Sequence, residues 1–171
     1  MKSSPERQHE FDIAYMKMAI AMSELSYAIR KKVGSIIVSK NDQVISQGFN
    51  GTPIGFPNVC EYYVDCEGNP VYLDNYKPIE IAQFYKIDQL KTKDEVLHAE
   101  ANAITKVAKS GNSSEGATLY ITTAPCIECA KLIIRAGIVR VVYAEEYRMS
   151  EGIELLKRAG IEVVNFNGDE I

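Results

Sequence analysis

Histidine is scarce in this chain: only His9 and His98 occur in 171 residues, beside four cysteines, Cys60, Cys66, Cys126 and Cys129. A second metal centre at Cys60 and Cys66 would lack two further ligands, so reduced thiols are the plainer expectation there. A basic excess is also missing. Nineteen Lys and Arg face 23 Asp and Glu, for a net charge of −4, which argues against a general nucleic-acid binder while allowing a local phosphate site. No run approaches the about 18 continuous apolar residues of a membrane span. The polar start, Met1-Lys2-Ser3-Ser4-Pro5-Glu6-Arg7, has no secretory apolar stretch. With so few cysteines, these absences predict a cytoplasmic protein in a reducing setting, or host cytoplasm if viral, with no nucleic-acid or membrane partner. No internal repeat or low-complexity segment appears, and the length suits a single domain over 1–171.

What is present is periodic. After a polar lead-in over 1–9, Phe11, Tyr15, Met18, Met22 and Leu25 recur at helical spacing. Ser35–Val38 and Gln43–Gln47 are β-branched runs separated by the turn residues Lys40-Asn41-Asp42, a hairpin pattern. Gly48-Phe49-Asn50-Gly51-Thr52-Pro53 then reads as a turn leaving a strand, a common place to hold a ligand. Residues 56–97 look like an irregular insert with one helix over Ile79–Leu90. Helices follow over Glu95–Ser110, Cys126–Ala136 and Glu151–Ala159, and strands over Gly116–Thr123, Ile138–Ala144 and Gly160–Phe166. The order β-β-α-β-α-β-α-β after a leading helix predicts an α/β fold, a five-stranded mixed sheet with helices on both faces.

Two of these helix starts carry chemistry. Cys126 and Cys129 are three apart on one helix, so their sulfurs share a face near an N-terminus that favours thiolates. His98 opens another helix, and together the three make a zinc site with one open coordination position. Glu100, two residues beyond His98, points elsewhere and suits a proton carrier beside the metal. A lone Cys-x-x-Cys is a plain metal or redox motif, and a lone His-x-Glu says little. In combination, with Pro125 before the first cysteine, they match the signature of zinc nucleobase deaminases. The run Ser26 to Lys32 allows a solvated charged face or a phosphate contact.

Over roughly residues 11–166 the chain resembles the deoxycytidylate deaminases of the cytidine deaminase-like superfamily. The likeness lies in Val33-Gly34, Gly48-Phe49-Asn50-Gly51-Thr52-Pro53, His98-Ala99-Glu100-Ala101-Asn102, Gly116-Ala117-Thr118-Leu119-Tyr120 and Pro125-Cys126-Ile127-Glu128-Cys129. Ala124 stands where tRNA adenosine and cytosine deaminases usually place glutamate. The resemblance implies a three-layer αβα fold and zinc-dependent hydrolysis of dCMP to dUMP and ammonia. It implies His98, Cys126 and Cys129 as ligands, Glu100 as catalytic residue, and Asn50, Ser26, Arg30 and Ala99 at the substrate. It further implies activation by dCTP and inhibition by dTTP, with Mg2+, near Gly48, Asn50 and Gly51, and assembly as a homohexamer. Ala28 departs from the family's Ser-x-Cys-x-Arg run, read here as Ser26-Tyr27-Ala28-Ile29-Arg30. The rival readings are a bifunctional dCMP/dCTP deaminase and an inactive, zinc-stabilised nucleotide-binding protein.

Overall fold

The computed structural model describes residues 4–166. Helix α1 (Pro5–Glu24) starts five residues earlier than its apolar periodicity suggests. Ser4 caps it, accepting from the Arg7 N–H at 3.3 Å, and Pro5 fits the first turn because its missing N–H is not needed there. Strands β1 (Gly34–Val38) and β2 (Val44–Phe49) form the expected hairpin, with Asp42 in a left-handed conformation (φ 59°) at its turn.

Residues 56–97 differ from expectation. They hold strands β3 (Glu61–Val64), β4 (Pro70–Tyr72) and β5 (Leu90–Thr92), paired antiparallel in the order β4-β3-β5. Helix α2 covers only Pro78–Phe84, and a separate 3-10 turn spans Ile87–Gln89. The apolar spacing that suggests one helix serves several short elements instead. Ile81, Leu90, Val59 and Leu73 bury together in a small core of their own, with Tyr63 and Tyr85 against it.

Helix α3 (Ala99–Ala108), strand β6 (Thr118–Thr123), helix α4 (Ile127–Arg135), strand β7 (Arg140–Glu145), helix α5 (Glu151–Arg158) and strand β8 (Glu162–Asn165) complete the chain. The large sheet has the order β2-β1-β6-β7-β8. Strand β1 is antiparallel to both neighbours, and β6, β7 and β8 are parallel. Successive strand residues point to opposite faces. Ile36, Val38, Tyr120 and Val142 pack against Met16 and Ala19 of α1. Ile37, Leu119, Ile121 and Val141 meet Ala103, Val107, Ile133 and Leu156 of α3, α4 and α5. The mixed five-stranded, three-layer architecture is therefore as expected.

Under α1 lies a buried polar network. Arg140 donates to both carboxylate oxygens of Asp12, at 2.8 and 2.7 Å, and the Tyr120 hydroxyl donates to Oδ1 at 2.7 Å. Burial alone would raise the Asp12 carboxyl, but hydrogen bonds from Arg140, Tyr120 and Gln8 outweigh it and hold it below the usual carboxylate range.

Candidate active site

Two helix starts converge. His98 is the N-cap of α3 and Cys126 the N-cap of α4, both with extended backbone (ψ 157° and 170°). Cys126 therefore precedes its helix and is not part of it, and Pro125 sits outside, just ahead of the cap. Cys129 lies in the first turn and is buried. His98 is held from behind: Gly51 and Leu97 exchange backbone hydrogen bonds at 3.1 and 2.9 Å, and Asn102 Nδ2 donates to the Phe49 carbonyl at 2.9 Å. Ser35 and Ser46 hydroxyls donate to the Ala99 and Ala103 carbonyls, fastening α3 to the hairpin. Gly48 makes this approach possible, since a Cβ there would lie 2.2 Å from the Ala99 carbonyl oxygen.

His98 Nδ1 is 3.5 Å from Cys126 Sγ and 3.4 Å from Cys129 Sγ. Tetrahedral zinc, with Zn–S near 2.3 Å and Zn–N near 2.0–2.1 Å, separates nitrogen from sulfur by about 3.6 Å. Among the described residues this is the one group of three His, Cys, Asp or Glu side chains close enough to share a metal. The residues fit zinc. The Cys126 thiol is held down to about 3, chiefly by its hydrogen bond with Cys129, with burial opposing and His98 assisting. Cys129 is pushed up by the same bond, by burial and by Glu100. His98 is raised mainly through Cys126. The surroundings thus favour the thiolate at Cys126, and a divalent cation would ionise Cys129 as well.

Glu100 is 3% exposed. Burial pushes its carboxyl up to about 7, against the pull of its own backbone N–H and of His98. A value near neutrality suits a group that both takes and gives a proton. Glu100, His98 and Cys126 border a cavity of about 390 Å³ that also reaches Arg30, Lys31 and Arg148, a size typical of small-molecule sites.

A family model, the cytidine and deoxycytidylate deaminase zinc-binding region, matches residues 9–145. The chain belongs to this deaminase family. It is 35% identical over 170 residues to the deoxycytidylate deaminase of Enterobacteria phage T4, covering 88% of this chain and 86% of that protein. It is 32% identical over 139 residues to the deoxycytidylate deaminase of Homo sapiens, covering 80% of this chain and 66% of that one. A crystal structure of the dCMP deaminase from the cyanophage S-TIM5, in complex with dCMP and dUMP, matches with a TM-score of 0.71 at 36% identity. That match covers 96% of this chain and 100% of the phage chain.

The residues that the deaminase resemblance places at the substrate have different fates. Ala99 and Arg30 line the cavity, with Arg30 Nη1 donating to Thr92 Oγ1 at 3.1 Å. Asn50 lines it too, but its amide is committed to backbone: Oδ1 accepts from Val33 N–H at 2.8 Å and Nδ2 donates to the Lys31 carbonyl at 2.9 Å. Ser26 is buried, donating to the Asn50 carbonyl and accepting from the Ala28 N–H. Both residues shape the Arg30 segment. Gly48 is buried beneath α3, and Gly51 pairs with Leu97. Cys60 is buried beside Ala28 and Val96, its thiol pushed up to about 11 by burial and Glu61, while Cys66 is exposed. Sequence reasoning missed Glu61, Thr123 and the Glu146-Tyr147-Arg148 segment after β7, all at the cavity. A threonine pair, Thr122-Thr123, ending an apolar strand was a usable signal; Glu61 had none.

Proposed function

We propose that this protein hydrolyses dCMP to dUMP and ammonia, with His98, Cys126 and Cys129 holding one zinc and Glu100 moving protons. The single observation that carries the reading is a buried carboxylate beside a convergent His-Cys-Cys set, in a cavity that also reaches cationic side chains. A structural zinc has no use for such a carboxylate. Zinc, when bound, would supply Lewis acidity that lowers the pKa of a water from about 15.7 to about 7. Glu100 accepts a proton from the water that adds at C4 and delivers it to ring N3; it then takes the proton of the new C4 hydroxyl and passes it to the departing 4-amino group, leaving the C4 carbonyl of dUMP and ammonia. Arg30, aided by Lys31 and Arg148, orients the 5′-phosphate. Family likeness supports the substrate: the named relatives are deoxycytidylate deaminases, and the cyanophage enzyme's structure contains dCMP and dUMP.

On this reading the chain is one deaminase domain over 1–171 whose insert walls the substrate cavity. Control by dCTP and dTTP with Mg2+ and hexamer assembly are carried over from the family resemblance, and cytoplasmic location follows from the sparse, unpaired cysteines. Gly48, being buried, would influence an effector only through the turn it shapes. No helix among the described residues is long and apolar enough to cross a membrane. The deciding experiment is an ammonia-release assay on dCMP, dCTP, deoxycytidine, cytosine and tRNA, with and without dCTP and dTTP. The expected result is turnover of dCMP above all others. Equal or faster turnover of dCTP would replace the reading with the bifunctional one, and no turnover of any would leave a nucleotide-binding protein.

A further inference from the structure

Among the described residues, two buried side-chain polar atoms have no hydrogen-bond partner: Glu61 Oε2 and Thr123 Oγ1. Both residues line the cavity that holds His98 and Glu100. Buried polar atoms are paired in the great majority of cases, so two orphans bordering one cavity mark where a ligand completes the bonding. Thr123 stands three residues before Cys126, near the metal end. Glu61 comes from β3 in the insert and is 1% exposed.

Glu61 is already half committed. Its Oε1 accepts from the backbone N–H groups of Ile29 at 3.0 Å and Arg30 at 3.2 Å. This ties it to the segment that presents Arg30, the proposed phosphate contact. Burial raises its carboxyl, with the N–H groups of Arg30 and Ile29 and the charges of Arg30 and Lys93 pulling it down. The second oxygen needs a donor. On a cytosine deoxynucleotide the neutral donors are the 4-amino group and the sugar 3′-hydroxyl. The amino group belongs beside Glu100, where it leaves, and a carboxylate would repel the phosphate.

We infer that Glu61 Oε2 accepts a hydrogen bond from the 3′-hydroxyl of the bound nucleotide, making Glu61 a specificity-determining residue for the sugar. The inference rests on the dCMP deaminase reading. It places the sugar between Arg30 at the phosphate end and the His98, Cys126 and Cys129 cluster at the base end.

The test compares kcat/KM for dCMP and for 2′,3′-dideoxy-CMP in the zinc-loaded wild type, Glu61→Gln and Glu61→Ala. A charge-assisted hydrogen bond gives the wild type roughly a 10- to 100-fold preference for dCMP. Glu61→Ala collapses that preference to about threefold or less, because only the substrate that carries the hydroxyl loses a partner. Glu61→Gln keeps an acceptor for Ile29 and Arg30, retains the fold, and lowers the preference part-way. A purely structural Glu61 would lower both substrates in equal proportion and leave the ratio unchanged, which overturns the inference. If the alanine variant fails to fold, an unchanged ratio in Glu61→Gln alone overturns it. A wild type that turns over neither nucleotide overturns the proposed function and this inference together. Turnover of both without preference overturns the inference only.

Discussion

The inner and outer walls of the cavity are built from different kinds of chain. The inner wall, carrying His98, Glu100, Thr123 and Cys126, stands on the ends of regular elements around the five-stranded sheet. The outer wall, carrying Arg30, Glu61, Asp88 and Thr92, comes from the segment after α1 and from the insert with its own small core. Hydrolytic chemistry needs ligands and a proton carrier held to within a fraction of an ångström, which helix caps on a packed sheet supply. Recognition of a particular nucleotide needs groups farther out, and a separately packed insert can vary those without disturbing the centre. On the proposed reading, reaction belongs to one wall and substrate choice to the other.

That division can be broken most forcefully at Glu100. Glu100→Ala is expected to lower kcat by about 10²- to 10⁴-fold while elemental analysis still finds about one zinc per chain, the content of a three-ligand catalytic site. Normal turnover by this variant would falsify the proton-carrier assignment. The next effect concerns the sheet that supports the inner wall. Asp12→Asn leaves Arg140 without its bidentate partner, and denaturant unfolding should show a loss of about 3 kcal/mol. Because the folded Asp12 pKa is lowered, its contribution is complete above the unfolded value near 3.9 and fades as pH falls through the folded value. The variant should therefore lose less stability than wild type on acidification below pH about 4; parallel acid limbs would remove Asp12 from that role.

The outer wall gives smaller effects. Leu90 is fully buried in the insert core, and Leu90→Ala should cost about 2–3 kcal/mol. Hydrogen exchange should locate the loosening in 59–92, with zinc content unchanged. Zinc loss in parallel would show that the two walls are one cooperative unit. Smallest is Arg30→Ala, expected to raise KM for dCMP about tenfold, the worth of one charge-assisted hydrogen bond, and to leave deoxycytidine nearly unaffected. Equal changes for both substrates would take Arg30 away from the phosphate.

Much of the inner wall is legible in the sequence. The five strands of the large sheet and helices α3, α4 and α5 follow from period-2 and period-3.6 patterns, because each element buries one face against a single continuous core. His98, Cys126 and Cys129 were readable as the proposed ligand set because few residue types bind zinc and these lie at helix starts. The helix starts were placed too early, α4 by one residue (Ile127 against Cys126) and α3 by four (Ala99 against Glu95), since His98 and Cys126 carry non-helical backbone while neighbouring residues already look helical. The early start of α1 was readable from Ser4-Pro5, yet the polar composition of 5–9 concealed it.

The insert was not legible in this way. Its strands are three or four residues long, too short for periodicity to distinguish from loop. The committed amide of Asn50 and the burial of Ser26 depend on partners 17 to 24 residues away, and no local pattern reveals that. The sequence by itself determined the proposed reaction centre, because metal ligation and proton transfer demand particular side chains at helix-compatible spacing. Only the tertiary structure decided which groups line the cavity. Whether Glu61 or Asn50 has an atom to spare depends on which backbone groups the fold brings within hydrogen-bonding distance, and those partners are far away in the chain.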